Sequence, residues 1–201
     1  LVLPNDNKRA ILRCRNTNFL TPFPNVPLED ISILHVDGHL PDAALHYAKK
    51  CRELGILTSL DGGGLKEGLL DLLKYIDVAV VSLRLCEQLD KTPEDTLSWL
   101  WKTYKTPLAA VTLGEDGIIF SLDGKGVQSI PGIKIAKENI KDTTGAGDIF
   151  HGAYVASYLK NKNKGWDEHF KYARAASTYS IQHLGTEASI PNPSDLKPYL
   201  E

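Results

Sequence analysis

Four short apolar runs, ISILHVD (31–37), ILTSLD (56–61), IDVAVVS (76–82) and PLAAVTL (107–113), have the length of β-strands, and helical patterns stand between them. No other property of the chain constrains its fold as much. Strands that are apolar on both sides must be covered on both sides. A helix between consecutive strands makes them parallel neighbours with right-handed crossovers. The expectation is an α/β fold with a mostly parallel central sheet between helices. In such sheets, sites form at the C-terminal ends of the strands.

The connecting segments carry their own start and stop signals. After Gly38, Pro41 and Asp42 suit the first turn of a helix. Ala44, Leu45, Ala48 and Cys51 follow helical spacing, and Gly55 suits the position just past its end. A short helix is expected in LLDLLKY, another over 83–89, and Thr92-Pro93-Glu94-Asp95 starts a third. GIIFSLDGKGVQSI reads as a hairpin turning at Asp123-Gly124. RAILRC (9–14) reads as a further strand, followed by a Pro-rich connection over 19–30. Two helices, about 148–160 and 167–183, and a tail helix in SDLKPYL complete the reading. No linker divides the chain, so residues 1–201 are expected to form one domain.

Charge and cysteine content narrow the function classes. With 23 basic and 25 acidic residues and no basic cluster, nothing suggests a nucleic-acid surface or a polybasic membrane anchor. No apolar run is long enough to span a bilayer as a helix. Cys14, Cys51 and Cys86 are widely spaced, odd in number and free of CxxC pairing, which reads as reduced thiols of a cytoplasmic protein. The chain contains no Met and begins at Leu1, so it is expected to be part of a longer protein, and the lack of a leader peptide carries little weight.

KDTTGAGDIFHGAY (141–154) is where chemistry concentrates. A Thr- and Gly-rich loop runs into a helix starting near Ala146, with apolar Ile149, Ala153, Ala156 and Leu159 at helical spacing. The first N–H groups of a helix lack internal partners and carry partial positive charge, and small residues leave them open, so an anion such as phosphate can bind there. A tight turn with an ordinary dipole-complementing Asp is the alternative. The loop is neither GxxxxGK[ST] nor GxGxxG. A carboxylate beside an anion hole makes sense where an alcohol attacks a phosphoryl group and must lose its proton. Asp148 is the choice for that base.

DTTGAGDIFHGAYV resembles, at every defined position, the C-terminal signature of the ribokinase-like (PfkB) sugar kinases. The resemblance implies a three-layer αβα fold of which this chain is roughly the C-terminal two thirds, with the N-terminal strands and lid absent or incomplete. It implies that Asp148 is the catalytic base and that Gly145, Ala146 and Gly147 form the anion hole. VTLGEDG would place Thr112, Gly114 and Gly117 near the ATP phosphates, with Thr144 close by. ARAASTYSI, with Arg174 and Ser177, would lie beside the adenine. Lys66, after Gly62-Gly63-Gly64, would reach a phosphate.

GTEASIP resembles the loop that helps Asp142 and Thr144 hold a monovalent cation, K+ being the candidate. Ser180, His183, Gly185 and Ser189 are the other ligands by position. ATP, Mg2+ and a small sugar are the implied partners, and lids in this family often dimerise, so a homodimer is allowed. Most of these positions also have a packing reading: a strand threonine for Thr112, a solvated helix face for Arg174, ring packing for His183. Trp99, Trp101 and Tyr104 read most simply as packing. ILHVDGH and the Ser82 region look closest to ketohexokinase-like members.

Two departures stand against the family pattern. The Asn-x-x-Glu that places magnesium in many members is replaced by Ser82-Leu83-Arg84-Leu85, and Glu87 falls elsewhere on the helix. The family's N-terminal part, with most sugar contacts, is not in this sequence. The sheet would then have an unprotected edge. The expected function is ATP-dependent phosphorylation of a carbohydrate hydroxyl. The alternative is a truncated or degenerate kinase fold that binds nucleotide or protein without catalysis.

Overall fold

The computed structural model describes residues 2–3, 8–9 and 24–200. The strand expected over 9–14 lies, apart from Arg9, outside the described residues, as do Cys14 and the first part of the Pro-rich connection. Two short strands, β1 (Val2–Leu3) and β2 (Lys8–Arg9), pair antiparallel. The principal sheet follows from the apolar runs: β3 (Ile33–Val36), β4 (Leu57–Gly62), β5 (Val78–Ser82), β6 (Leu108–Thr112), β7 (Gly117–Leu122) and β8 (Lys125–Pro131). They lie side by side in chain order, parallel from β3 to β6 and antiparallel through β7 and β8.

Local chemistry accounts for the element ends. Helix α1 (Pro41–Glu53) starts on its proline and stops at Gly55, whose φ of +71° lets the Ile56 N–H reach back to the Cys51 carbonyl at 2.8 Å. Helix α2 (Leu69–Leu72) passes into a 3-10 turn, Leu73–Tyr75. Ser82 caps α3 (Leu83–Gln88), and the Thr92 hydroxyl accepts the Asp95 N–H at 3.0 Å to cap α4 (Pro93–Trp99). The β7–β8 turn has positive φ at both Asp123 (49°) and Gly124 (66°), the conformation that matches strand twist in a two-residue hairpin.

Strands in chain order, joined by crossovers of one hand, put all the crossover helices on the same face. On that face α1 to α4 bury Ala48, Leu72, Leu85 and Leu97 against Leu60, Ala79, Val81 and Val111. The opposite face is covered by the last two long helices, α5 (Ala146–Lys160) and α6 (Trp166–Ser180). Their Phe150, Tyr154, Phe170 and Ala173 close over Val78, Val80, Ala110 and Phe120. The result is the expected three-layer arrangement. Cys51 and Cys86 are buried free thiols, and burial pushes both above the ordinary thiol range.

One boundary differs from the sequence reading and two helices take a geometry it did not specify, each for a physical reason. Helix α4 runs on as a wider π-helical turn, Leu100–Tyr104, which seats Trp101 against the hairpin turn at Gly124. Helix α6 ends at Ser180 rather than 183, because the Ile181 carbonyl accepts the N–H groups of Lys141 and Asp142 at 2.8 and 3.2 Å. The tail, Pro193–Tyr199, is a 3-10 helix with Pro198 inside it, where a missing N–H disfavours the α form.

Phe170 is wholly buried, with its ring 5.3 Å from that of Phe120 and 5.7 Å from that of Tyr154. Phe170→Ala removes the side chain that joins α6 to the sheet. It is expected to lower unfolding free energy by about 3–5 kcal/mol, read as a shift of the urea midpoint.

Candidate active site

The start of α5 is held by contacts that its own sequence does not announce. Gly145 stands just before the first turn in the left-handed region (φ +74°), and a Cβ there would collide with the Thr186 methyl group. Asp142 accepts the Thr144 N–H at 2.9 Å through Oδ1 and the Gly185 N–H at 3.1 Å through Oδ2. The Ser177 hydroxyl donates to the Ala146 carbonyl at 3.0 Å. Loop 142–147 is thereby fastened to α6 and to the 185–186 turn. No side chain caps α5, and nothing lies within 4 Å of where a Cβ on Gly147 would stand. The Ala146 N–H has only a long contact to Thr143 O, 3.4 Å. An uncapped helix start with open space before it suits a phosphate-sized anion.

Asp148, in the first turn of α5, lines two hollows. One, about 600 Å³, is a cleft walled by the end of β3, by α1 and by Asp61 at the end of β4. The other, about 570 Å³, lies between α5, α6 and the chain from Thr186 to Leu196. The carboxylate stands beside the open helix start and at the rim of a cleft large enough for a small polar molecule.

A chain of polar groups crosses from sheet to helix beside the cleft, exposed at His35 and buried at Ser59, Tyr154 and His151. His35 Nδ1 is 3.0 Å from Ser59 Oγ, Ser59 Oγ is 2.6 Å from the Tyr154 hydroxyl, and that hydroxyl is 3.3 Å from His151 Nδ1. His151 Nε2 lies 3.5 Å from Asp61 Oδ1. Burial holds His151 neutral, its pKa pushed down to about 3, so this last contact is no ion pair. Burial also lowers His35 against the pull of Asp61 and Asp37, and it raises Asp61 above the ordinary carboxylate range against the pull of Lys66. One set of protons satisfies the chain: His35 donates to Ser59, Ser59 to Tyr154, Tyr154 to His151 Nδ1, with the His151 Nε2–H facing Asp61.

The structure assembles only some of the residues expected at the site. Asp142, Thr144, Gly145, Ala146, Gly147 and Asp148 come together with Gly185. Thr112 ends β6 with its hydroxyl donating to Val81 O at 3.3 Å, and Gly114 (φ +62°) opens the turn that follows. Gly117 (φ +99°) has a packing reason of its own, since a Cβ there would strike the Ile130 carbonyl. The Arg174 guanidinium donates to Pro131 O at 3.0 Å and Tyr199 O at 3.5 Å, tying α6 to β8 and the tail.

Lys66 donates to Asp37 O at 2.6 Å with His39 Nε2 at 3.1 Å, both residues of the cleft wall. Ser180 and Ser189 donate to the carbonyls of Ser177 and Thr186, and the His183 ring stacks on Tyr179. Ser59, Asp61, His35 and His151 were missed in the sequence. The available signals were the i, i+2 spacing of Ser59 and Asp61 on one strand face and the i, i+3 spacing of Asp148 and His151.

The profile of the pfkB family carbohydrate kinases matches residues 4–193 of the chain. The ribokinase of Lactococcus lactis subsp. lactis is 30% identical over 175 residues, which are 87% of this chain and 55% of that protein. Fructokinase-1 of Zea mays is 29% identical over 138 residues, 65% of this chain and 41% of that one. The chain thus spans about half the length of these curated relatives. Its fold matches that of Arabidopsis thaliana ribokinase complexed with ribose and ATP, with a TM-score of 0.73 at 24% identity over 85% of this chain and 56% of that one. No helix among the described residues is long and apolar enough to cross a membrane.

The buried neutral His151 makes stability depend on pH. An unfolded histidine binds a proton below about pH 6.5, whereas native His151 refuses it until about pH 3. Its stabilisation is therefore complete above the unfolded value and lost as pH falls, by about 1.4 kcal/mol per pH unit. His35 acts in the same sense and Asp61 in the opposite one. The readout is accordingly the comparison of variants: in urea unfolding at pH 7 and pH 5.5, His151→Gln should lose distinctly less stability on acidification than the unaltered protein.

Proposed function

The chain belongs to the pfkB family of carbohydrate kinases, and from that premise we propose that the intact protein transfers the γ-phosphoryl group of ATP to a hydroxyl of a small carbohydrate. The observation that carries this reading is the position of Asp148, between an uncapped helix start and a cleft of about 600 Å³. In the proposed reaction the acceptor hydroxyl lies in the cleft and the Asp148 carboxylate takes its proton as the oxygen attacks. The N–H groups at Gly145, Ala146 and Gly147 face the transferring phosphoryl oxygens and stabilise the charge on them.

Thr112, Gly114 and Gly117 lie on the β6–β7 turn and would form the nucleotide side, with Thr144, Ser177 and Arg174 behind it. Among the described residues no group of three or more His, Cys, Asp or Glu side chains converges on a metal position. Magnesium would accordingly be held chiefly by the ATP phosphates, whose charge it neutralises. For a monovalent cation the fit is partial: Asp142 and Thr144 meet Gly185, while the side chains of Ser180, His183 and Ser189 are engaged by backbone carbonyls or a ring. The buried free thiols of Cys51 and Cys86 support a reducing, cytoplasmic setting.

In the intact protein, Asp148→Asn should lower kcat on the best sugar of a panel by about 10²–10⁴-fold, with ATP affinity by calorimetry changed less than about threefold. A variant that keeps full turnover removes Asp148 from the role of base. ATP binding by the intact, unaltered protein without turnover on any sugar favours the alternative, a kinase fold serving as a binding module.

A further inference from the structure

The cleft that holds Asp148 has two further carboxylates that the proposed chemistry does not use, Asp37 and Asp61, and Asp61 is the more buried of the two. Asp61 stands at the C-terminal end of β4, with its side chain only 21% exposed, and it lines the same cleft as Asp148. Taking a carboxylate this far out of water is costly unless other charges or donors compensate. Among the described residues, the only ionisable group within ion-pair distance is His151, which is neutral. Lys66 pulls on Asp61 from further off, but its ammonium is bonded to the Asp37 carbonyl and faces His39. The Gly63 amide gives Asp61 a backbone donor.

The neighbours of Asp61 are rigid rather than adaptable. The His151 side chain is 8% exposed and is held through Tyr154 and Ser59 to His35. His35 is itself in register with Ser59 across the β3–β4 ladder. Each member of that chain is hydrogen-bonded to the next. The chain ends at Asp61, whose side chain lines the cleft. A partly buried carboxylate lining the same cleft as a base that handles a hydroxyl is complementary to a molecule bearing several hydroxyl donors.

We propose that Asp61 is a binding residue of the acceptor site, accepting hydrogen bonds from a non-reacting hydroxyl of a polyol while Asp148 faces the reacting one. The proposal rests on the kinase reading for the identity of the reacting hydroxyl. Binding of a polyol at Asp61 can be measured without it. Asp61 would select for acceptors that carry a further hydroxyl besides the reacting one. A singly deoxygenated acceptor would leave the partly buried Asp61 carboxylate without that donor, which is where rejection of such analogues would arise.

The test uses the intact protein, a panel of pentoses and hexoses, and their singly deoxygenated analogues. Asp61→Asn, which preserves shape, should raise KM for the best sugar by about 10- to 100-fold while leaving KM for ATP unchanged. The unaltered protein should discriminate against one deoxy analogue, and Asp61→Asn should lose most of that discrimination. Circular dichroism and thermal unfolding establish that the variant is folded, and Asp61→Glu serves as the second variant if it is not. Calorimetric titration with the same sugars separates the two levels. Asp61-dependent sugar binding without turnover by the unaltered protein overturns the kinase reading and supports this one. Turnover with unchanged KM and unchanged deoxy discrimination in the folded variant overturns the role of Asp61. Absence of both binding and turnover in the unaltered protein overturns both.

Discussion

The wholly buried ring of Tyr154 decides where α5 points. It packs against Phe150, Phe170 and Trp166, and its hydroxyl bonds Ser59 in the middle of β4. A ring fixed on several sides and a hydroxyl fixed at its tip leave the helix no freedom to roll about its axis. Because each residue advances a helix by a constant angle, fixing Tyr154 also fixes His151 and Asp148 further back. Gly145 sets the other end, since only its left-handed backbone and missing side chain let the loop pass under Thr186. With both ends held, the direction of the Asp148 carboxylate becomes a property of the core packing.

Much of this architecture was legible in the residues. Apolar runs without alternation marked the strands of the sheet interior, and Asp123-Gly124 marked the hairpin that adds its last strand. The Thr and Gly loop before Ile149 marked a helix start with an open end. What was not legible depends on distance. Thr186 as the reason for Gly145, and the Ile181 carbonyl as the reason α6 stops, are contacts between segments some forty residues apart. His35 looked like a polar residue within an apolar strand until its register with Ser59 set it beside Tyr154. Arg174 shows the reverse case, where a residue suited to a ligand is bonded to two backbone carbonyls.

The polar chain from His35 to Asp61 occupies a place where apolar packing would be cheaper. The other half of that same face is filled by Phe120, Phe150 and Phe170 with no such complication. Buried polar groups on that face gather around one cleft. Such conflicts concentrate where a chain has something to bind.

The chain-order sheet has a consequence for how the molecule is made. Strands adjacent in space are adjacent in sequence from β3 to β8, so during synthesis each can add to the one before it as it emerges. The crossover helices cover their own face as they appear. The other face stays bare until α5 and α6 arrive, leaving Val78, Val80, Ala110 and Phe120 exposed on an otherwise assembled sheet. The segment that carries Asp148 is therefore also the lid of the nascent core. A ribosome that stalls shortly before it leaves a half-roofed sheet for chaperones to guard, and the same few residues that complete the site end that exposure.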